Sequence, residues 1–323
     1  MIFPALPVVP PSHVRELVHQ GAVWTIGNFD GLHRGHRAIL RSTVEDAEHR
    51  ELPALAMTFE PHPVEIFAEK APKEFRLATA DERRQALLDA GLSEVWTVPF
   101  SRDFAAISPL DFLDALLVRT LRAESIHVGY DFNFGHRRSG STATLLDYAK
   151  HGELTATVHP AVIDDGAPVS STRIRSALRR GDCEEVNRLL GQPWSLSGPR
   201  TPGAGRGTGI GIPTINLYPQ GRLLPPPGVY VTTLRVPATG FHAGAVTNVG
   251  YRPTFEVDSG ISVETMCLGP MAPDVQPGVR IDVSFLSRIR EERRFPSTDA
   301  LLEQVADDRA RAAAYHERSQ ATV

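Results

Sequence analysis

The stretch GNFDGLHRGHRAIL, residues 27–40, joins an apolar run that predicts a strand to an apolar pattern that predicts a helix. The strand is VWTI at 23–26, and the helical pattern continues through residues 36–50. A strand that ends in a glycine-rich turn and enters a helix places that turn at the carboxyl edge of a parallel sheet. Ligands bind at this edge in open α/β folds, so the turn and its two histidines form the first candidate site.

The two histidines, His33 and His36, are three residues apart and can face one point around a helical turn. A helix start offers unpaired backbone N–H groups and a positive dipole end to an anion. Two imidazole donors there could stabilise charge on a phosphate, and Gly35 would let that phosphate approach the backbone. A solvent-exposed pair and a zinc site are the alternatives. Zinc needs further ligands, and neither Cys183 nor Cys267 is near in sequence.

Length and composition bound the function classes. The chain has 323 residues, enough for two domains, and its two cysteines form neither a CxxC motif nor a disulfide framework. A net charge of -4 and a pI near 6.3 give no electrostatic case for binding nucleic acid or a membrane surface. Without a signal peptide or a long apolar run, we expect a soluble protein of a reducing, cytoplasmic compartment.

The first part of the chain alternates strand and helix patterns. Thr79 with Glu82 predicts a capping box that opens one helix, and Ser108 followed by Pro109 predicts the start of another. This order predicts an α/β domain with a Rossmann-like parallel sheet covered by helices on both faces. The further apolar runs that predict strands are 54–59, 94–100, 125–130 and 155–163.

The composition and the pattern of the sequence change near residue 190, where we place the boundary between domains 1–190 and 191–323. Glycine and proline are dense over 198–228, and short β-branched runs follow, which predict a small antiparallel β-barrel. The chain closes with a predicted helix whose apolar side carries Leu301, Leu302 and Val305. The runs that predict barrel strands are 228–236, 242–250, 261–268 and 279–290.

Several motifs together resemble one family. The HxGH pattern resembles the nucleotidyltransferase superfamily, and GNFDGLHRGH resembles the FMN adenylyltransferase module of bacterial bifunctional riboflavin kinase/FAD synthetases. The other matching motifs, in family order, are MTFEPHP (57–63), VGYDFNFG (128–135), SSTRIR (170–175), GIPTINL (211–217), PPGVYV (226–231), NVGYRPTF (248–255), VE (263–264) and RRFPSTDALLEQVADDRARA (293–312).

The resemblance implies a first reaction in which FMN and ATP give FAD and pyrophosphate. It assigns His33 and His36 to the ATP phosphates, where positioning and charge stabilisation would carry the rate because the flavin phosphate itself attacks. Pro61 and His62 would shape the flavin pocket. Asp131 would bind ribose or steer magnesium, with a plain strand-end turn residue as the alternative. The full set of implied ATP-binding residues is Gly27, Phe29, Asp30, Gly35, Asp131, Ser171, Thr172 and Arg175.

The implied second reaction converts riboflavin and ATP to FMN and ADP. Gly207 and Gly211 belong to a glycine run that would close over ATP, although a flexible linker is the alternative from composition. Thr214 and Asn216 offer oxygen ligands suited to Mg²⁺ and phosphate. Glu264 lies among apolar neighbours in ISVETMCL, on a solvated face or as a general base, and the resemblance selects the base.

The kinase half departs from the family pattern. Pro199 and Pro202 precede the glycine run and should disfavour a central strand there. Met266 stands where the family tends to have histidine, and 269–270 and 277–278 carry glycine and proline instead of the family's flap residues.

Alternatives to the bifunctional enzyme are a monofunctional FAD synthetase, a flavin-binding regulatory protein, and adenylyl transfer to another acceptor. The expected partners are riboflavin, FMN and ATP, with no nucleic acid, no membrane and a possible homo-oligomer.

Overall fold

The computed structural model divides the chain into two compact units, residues 1–171 and 172–323, and each is described by itself. The sequence predicts the domain boundary near residue 190, whereas the helices just before that residue group with the second unit. The residues described are 6–69, 74–152, 154–202, 213–218, 221–251, 261–270 and 275–320.

The first unit is built on a five-stranded parallel sheet. Its strands are β1 (Ala22–Ile26), β2 (Ala54–Glu60), β3 (Glu94–Pro99), β4 (Ala123–Gly129) and, after one short hairpin, β7 (Thr155–His159). In space they lie in the order β3-β2-β1-β4-β7. All five residues of the central strand β1 are buried, as expected for a parallel strand covered on both faces. Two short hairpins pair β5 (Asn133–Phe134) with β6 (Gly140–Ser141), and β8 (Ile163–Asp164) with β9 (Ala167–Pro168).

Helices cover both faces of this sheet, as predicted. They are α1 (Ser12–Leu17), α2 (Arg34–Arg50), α3 (Pro63–Phe67), α4 (Ala80–Asp89), α5 (Pro109–Asp111) and α6 (Thr142–His151). Alternation along β1 sends Val23 into a core with α2 and α4, and Trp24 into a second core on the opposite face.

The predicted helix starts are confirmed. The Thr79 side chain accepts the Glu82 N–H, and the Glu82 carboxylate accepts the Thr79 N–H, which completes the capping box of α4. Ser108 caps α5 through the N–H of Asp111. The segment then continues as a π-helix over Phe112–Thr120, a geometry that its sequence does not predict.

The second unit contains a closed six-stranded antiparallel barrel, which confirms the predicted barrel. Its elements are α7 (Ser171–Arg180), α8 (Cys183–Leu190), β10 (Trp194–Thr201), β11 (Ile215–Leu217), β12 (Gly228–Val236), β13 (Phe241–Tyr251), β14 (Ile261–Cys267), β15 (Arg280–Glu291) and α9 (Thr298–Gln320). The strands close in the order β10-β11-β14-β13-β12-β15. A chain of buried threonine hydroxyls crosses three neighbouring strands: Thr232 to Thr247 at 2.8 Å and Thr247 to Thr265 at 2.9 Å between Oγ1 atoms.

The expectation that Pro199 disfavours a central strand was wrong, because Pro199 lies within β10. Strand β10 pairs with β15 up to Pro199 and with β11 at Arg200 and Thr201. On its β11 side, Pro199 has no ladder partner among the described residues. The N–H that Pro199 lacks therefore costs no ladder hydrogen bond there.

The closing helix α9 packs on the outside of the barrel through a partly different face from the one predicted. Leu302 is 37% exposed, whereas Ala312 is fully buried among Val229, Val231 and Met266. Met266 therefore fills the apolar layer under α9, which accounts for an apolar residue at this position.

Candidate functional site

The corner between β1 and α2 holds both predicted histidines. His33 is the N-cap of α2, and its Nδ1 accepts the backbone N–H of His36 at 3.2 Å. The two imidazole rings stack with centroids 3.7 Å apart. Because Nδ1 of His33 is an acceptor, the ring proton lies on Nε2, which leaves that nitrogen as a donor. Local capping thus fixes the tautomer and the direction of His33.

His36 is held in its neutral form. Desolvation by the surrounding protein, and next the charge that His33 would carry, lowers the pKa of His36 well below its ordinary value. Its Nδ1 is buried and has no hydrogen-bond partner among the described residues. The ring of Phe29 meets it edge-on, with centroids 5.2 Å apart. At neutral pH His36 can therefore offer a neutral imidazole donor to an anion.

Gly35 and Gly27 lie so close to side-chain rings at this corner that an added Cβ would crowd those rings. A Cβ on Gly35 would lie 3.1 Å from both Cε1 and Nδ1 of His33, closer than ordinary van der Waals contact. A Cβ on Gly27 would lie 3.2 Å from the ring of Phe29, which is buried and has a φ of 48°. Small residues at these positions leave room for the two rings.

Asp30 is buried, and its carboxylate accepts the N–H groups of Leu77 at 3.0 Å and Ala78 at 3.1 Å. Its backbone carbonyl accepts the hydroxyl of Ser171 at 2.8 Å. The predicted phosphate residue Ser171 is thus brought to the histidine corner, although the two are far apart in sequence. The direct ATP-binding role of Asp30 stays a prediction, since backbone amides of the protein already engage its carboxylate.

The neighbouring strands place the other predicted residues of this unit along the same sheet edge. Asp131 is exposed just beyond the end of β4. Pro61 and His62 follow the end of β2; His62 is buried and caps α3 by accepting the Val64 N–H. Thr172 and Arg175 lie on α7 within the second unit, exposed and half-buried respectively.

An aromatic cluster at the ends of β2 and β3 is not predicted from the sequence. Phe59 and Phe100 meet with ring centroids 5.5 Å apart, and Phe67 meets Phe100 at 6.0 Å. Phe67 is 55% exposed, with the guanidinium of Arg102 over its ring at 5.7 Å. These positions carry no spacing signal, because the rings come from three separate elements. The cluster presents an apolar aromatic surface at the same edge as His62.

The sequence also does not predict a row of hydrogen-bonded polar side chains that connects α2 with β4 and β7. His127 on β4 contacts Asp46 on α2 through Nε2 and His159 on β7 through Nδ1, each at 3.0 Å. Burial raises the pKa of Asp46, but hydrogen bonds from neighbouring side chains, His127 and Arg50 among them, lower it to about 2. The ionised Asp46 thereby ties the C-terminal part of α2 to the sheet.

The second candidate site lies on neighbouring barrel strands. Asn216 on β11 and Asn248 on β13 are both direct cross-strand partners of Glu264 on β14. Asn216 is buried, whereas Glu264 is half-buried, and Thr214 immediately precedes β11. The strand register therefore aligns an amide, a carboxylate and a second amide in one row. The predicted residues Gly207 and Gly211 lie outside the described residues.

A histidine pair at a helix start above a parallel sheet is the arrangement of a nucleotidyltransferase, here followed by a barrel domain with a polar row. The family model of FAD synthetase matches residues 15–173, and that of riboflavin kinase matches residues 190–316. The chain belongs to the bifunctional riboflavin kinase/FMN adenylyltransferase family. It is an ATP-using transferase with the adenylyltransferase in its N-terminal part and the kinase in its C-terminal part, which confirms the expectation.

Relatives that carry the name bifunctional riboflavin kinase/FMN adenylyltransferase align over nearly the whole chain. The protein of Escherichia coli K12 is 37% identical over 295 residues, covering 90% of this chain and 91% of the relative. The Pseudomonas fluorescens protein is 36% identical, covering 92% and 93%. The Bacillus subtilis protein is 32% identical, covering 95% and 96%.

A solved structure gives the same match at the level of the fold. It is described as a macrolide-efflux protein from Streptococcus pneumoniae, with 30% identity and a TM-score of 0.79 over 89% of this chain and 92% of that one. Among the described residues of the present chain, no helix combines the length and apolar character needed to cross a membrane.

Proposed function

We propose that the β1–α2 corner is the adenylyl-transfer site, with His33 and His36 donating to the ATP phosphates. The observation that carries this is the fixed pair itself: His33 is oriented by the N–H of His36, and the two rings stack at a helix start. The FMN phosphate oxygen attacks the α-phosphorus while the bond to pyrophosphate breaks. Charge that grows on the leaving phosphates then meets preorganised donors.

The flavin is proposed to lie on the β2–β3 side of this corner. His62 follows the end of β2, and the aromatic cluster of Phe59, Phe67 and Phe100 provides a surface on which an isoalloxazine ring can pack. Ser171, whose hydroxyl donates to the Asp30 carbonyl, is proposed to contact an ATP phosphate. Thr172 and Arg175 are also proposed to bind ATP, and Asp131 to bind the ATP ribose.

In the barrel, Glu264 is proposed to take the proton from the riboflavin 5′-hydroxyl as it attacks the γ-phosphorus of ATP, with ADP leaving. Asn216, the cross-strand partner of Glu264, would supply an amide oxygen, and Thr214, just before β11, would supply a hydroxyl; oxygen donors of this kind fit Mg²⁺. When bound, Mg²⁺ would neutralise charge on the ATP phosphates. Gly207 and Gly211 are proposed to contact ATP. The cytoplasmic location and a possible homo-oligomer stay predictions from the sequence.

One assay tests both sites. Purified protein is supplied with riboflavin, ATP and Mg²⁺, and FMN and FAD are separated by chromatography. His36→Ala should form FMN but lose FAD formation by roughly two orders of magnitude. Glu264→Ala should form FAD from supplied FMN but no FMN from riboflavin. Loss of FMN formation from riboflavin in His36→Ala, or loss of FAD formation from supplied FMN in Glu264→Ala, would contradict the assignment of separate sites, and so would wild-type rates of both reactions in either variant.

A further inference from the structure

Arg76 bridges the two acidic side chains that flank the Pro61–His62 loop. Its guanidinium donates to Glu60 Oε2 at 2.9 Å through Nη1 and to Glu65 Oε1 at 3.1 Å through Nε, and Nη2 contacts both carboxylates. Its side chain is 17% exposed, so these contacts are shielded from water. One cation thus fixes the spacing between the two ends of the loop.

The contact with Glu65 reaches His62 directly. Glu65 Oε2 accepts the backbone N–H of His62 at 2.9 Å, and Phe75, the residue before Arg76, meets the His62 ring edge-on at 5.0 Å between centroids. The orientation of His62 therefore depends on two groups next to Arg76. One is the Glu65 carboxylate, which pairs with Arg76, and the other is the ring of Phe75, the residue before Arg76.

The same segment reaches the histidine corner through its backbone. The two residues after Arg76, Leu77 and Ala78, donate their N–H groups to the buried carboxylate of Asp30. Residues 75–78 thus join the loop of His62 to the corner of His33: side chains make the contact on one side and backbone amides on the other.

A second arginine, Arg83, also pairs with Glu60. The buried Arg83 donates to Glu60 Oε2 and to the carbonyl of Phe59, each at 3.0 Å. Burial raises the pKa of Glu60, but the hydrogen bond and charge of Arg76, followed by those of Arg83, lower it below its ordinary value. Arg83 does not extend to Glu65 in this structure, so the link across the loop belongs to Arg76.

We propose that Arg76 is a positioning residue for FMN in adenylyl transfer, acting by holding the Pro61–His62 loop at a fixed distance from the histidine corner. The inference rests on the proposed flavin role of this loop. A substitution of Arg76 should therefore affect the binding of FMN more than the binding of ATP. The Arg76 side chain contacts the loop on the flavin side, whereas the contacts to Asp30 come from backbone amides that a substitution leaves in place.

The test measures KM for FMN and for ATP separately in Arg76→Gln, Arg76→Lys and wild type. Arg76→Gln should raise KM for FMN roughly tenfold or more and change KM for ATP less than about twofold. Arg76→Lys, which keeps the charge but cannot bridge both carboxylates in the same way, should be intermediate. The unchanged KM for ATP reports that the unit carrying Arg76 is folded, and riboflavin phosphorylation by the same protein, which should be unchanged, reports the amount of enzyme.

Arg84→Gln is the matched control, because Arg84 forms a comparable pair with Glu94 at 2.6 Å on the same helix as Arg83. It should leave both KM values unchanged. Equal rises in both KM values for Arg76→Gln, or none, would overturn the inference.

His62→Ala separates the inference from the function beneath it. If His62→Ala leaves KM for FMN unchanged, the flavin role of the loop is refuted, and the Arg76 role with it. If His62→Ala raises KM for FMN and Arg76→Gln does not, the Arg76 inference alone fails.

Discussion

Replacing Gly35 by alanine tests whether the position of His33 controls adenylyl transfer. The added Cβ would lie 3.1 Å from two atoms of the His33 ring, where ordinary contacts begin near 3.4 Å, so the ring must give by a few tenths of an ångström. The ring is not free to do so, because its Nδ1 holds the N–H of His36 and its face stacks on the His36 ring. Relief of the crowding must therefore weaken the cap, the stack or both.

Opposing terms set the expected magnitude. Alanine in place of glycine favours a helix by about 1 kcal/mol, whereas a weakened N-cap costs about 1 kcal/mol and crowding costs about 1–3 kcal/mol. The free energy of unfolding should thus fall by about 1–3 kcal/mol in the Gly35→Ala protein. Catalysis has no compensating term, and displacing one preorganised donor costs about 3 kcal/mol, or roughly 100-fold in kcat.

The assay follows FAD formation from FMN and ATP, with riboflavin phosphorylation by the same protein as internal reference. Arg41→Ala is the control, since Arg41 lies on the same helix with its side chain 78% exposed. We expect a roughly 100-fold loss of adenylyl transfer in Gly35→Ala alone. Adenylyl transfer within about threefold of wild type would refute the reasoning, because a displaced donor that matters cannot leave the rate intact.

Three further predictions concern stability. The pKa of Asp46 is lowered to about 2, so its carboxylate contributes stability at neutral pH that is lost as the pH falls from about 4 to about 2. Asp46→Asn should therefore lower the free energy of unfolding at pH 7 by about 2 kcal/mol and weaken the dependence of that free energy on acidic pH, as measured by urea denaturation. Arg290→Gln leaves the buried Asp308 carboxylate without its two-pronged partner and should cost about 3–5 kcal/mol, so an unchanged denaturation midpoint would contradict a role in anchoring α9. Thr79→Ala removes one half of a capping box and should cost about 1 kcal/mol, with Thr79→Ser close to wild type.

The fold was largely predictable because it follows from local signals. Alternating strand and helix patterns imply a parallel sheet, and caps such as Thr79 fix where helices begin. The exceptions have physical reasons. Pro199 is tolerated because the pairing of β10 with β11 begins only at Arg200 among the described residues, and Leu302 is exposed because α9 turns a different side, around Ala312, toward the barrel.

The candidate site was predictable where one motif contains its own geometry. His33 and His36 contact each other because the helix period brings them together, so their spacing carried the information. Arg76 could not be found in this way, since its partners Glu60 and Glu65 lie in another segment with no periodic relation to it. Contacts of this kind depend on how loops fold back, which composition and spacing do not encode.

The difference between the two proposed sites follows from the two nucleophiles. A phosphate monoester such as FMN has its second pKa near 6, so at neutral pH it attacks already ionised and needs no base. The β1–α2 corner accordingly offers His36 with its pKa held low, and Asp30 there is turned toward backbone amides. The riboflavin hydroxyl must lose a proton during attack, and a half-buried carboxylate, Glu264, stands in the polar row of the barrel. If this is correct, Glu264→Gln should lower the kinase rate by roughly two orders of magnitude or more, while adenylyl transfer by the same protein stays at the wild-type rate.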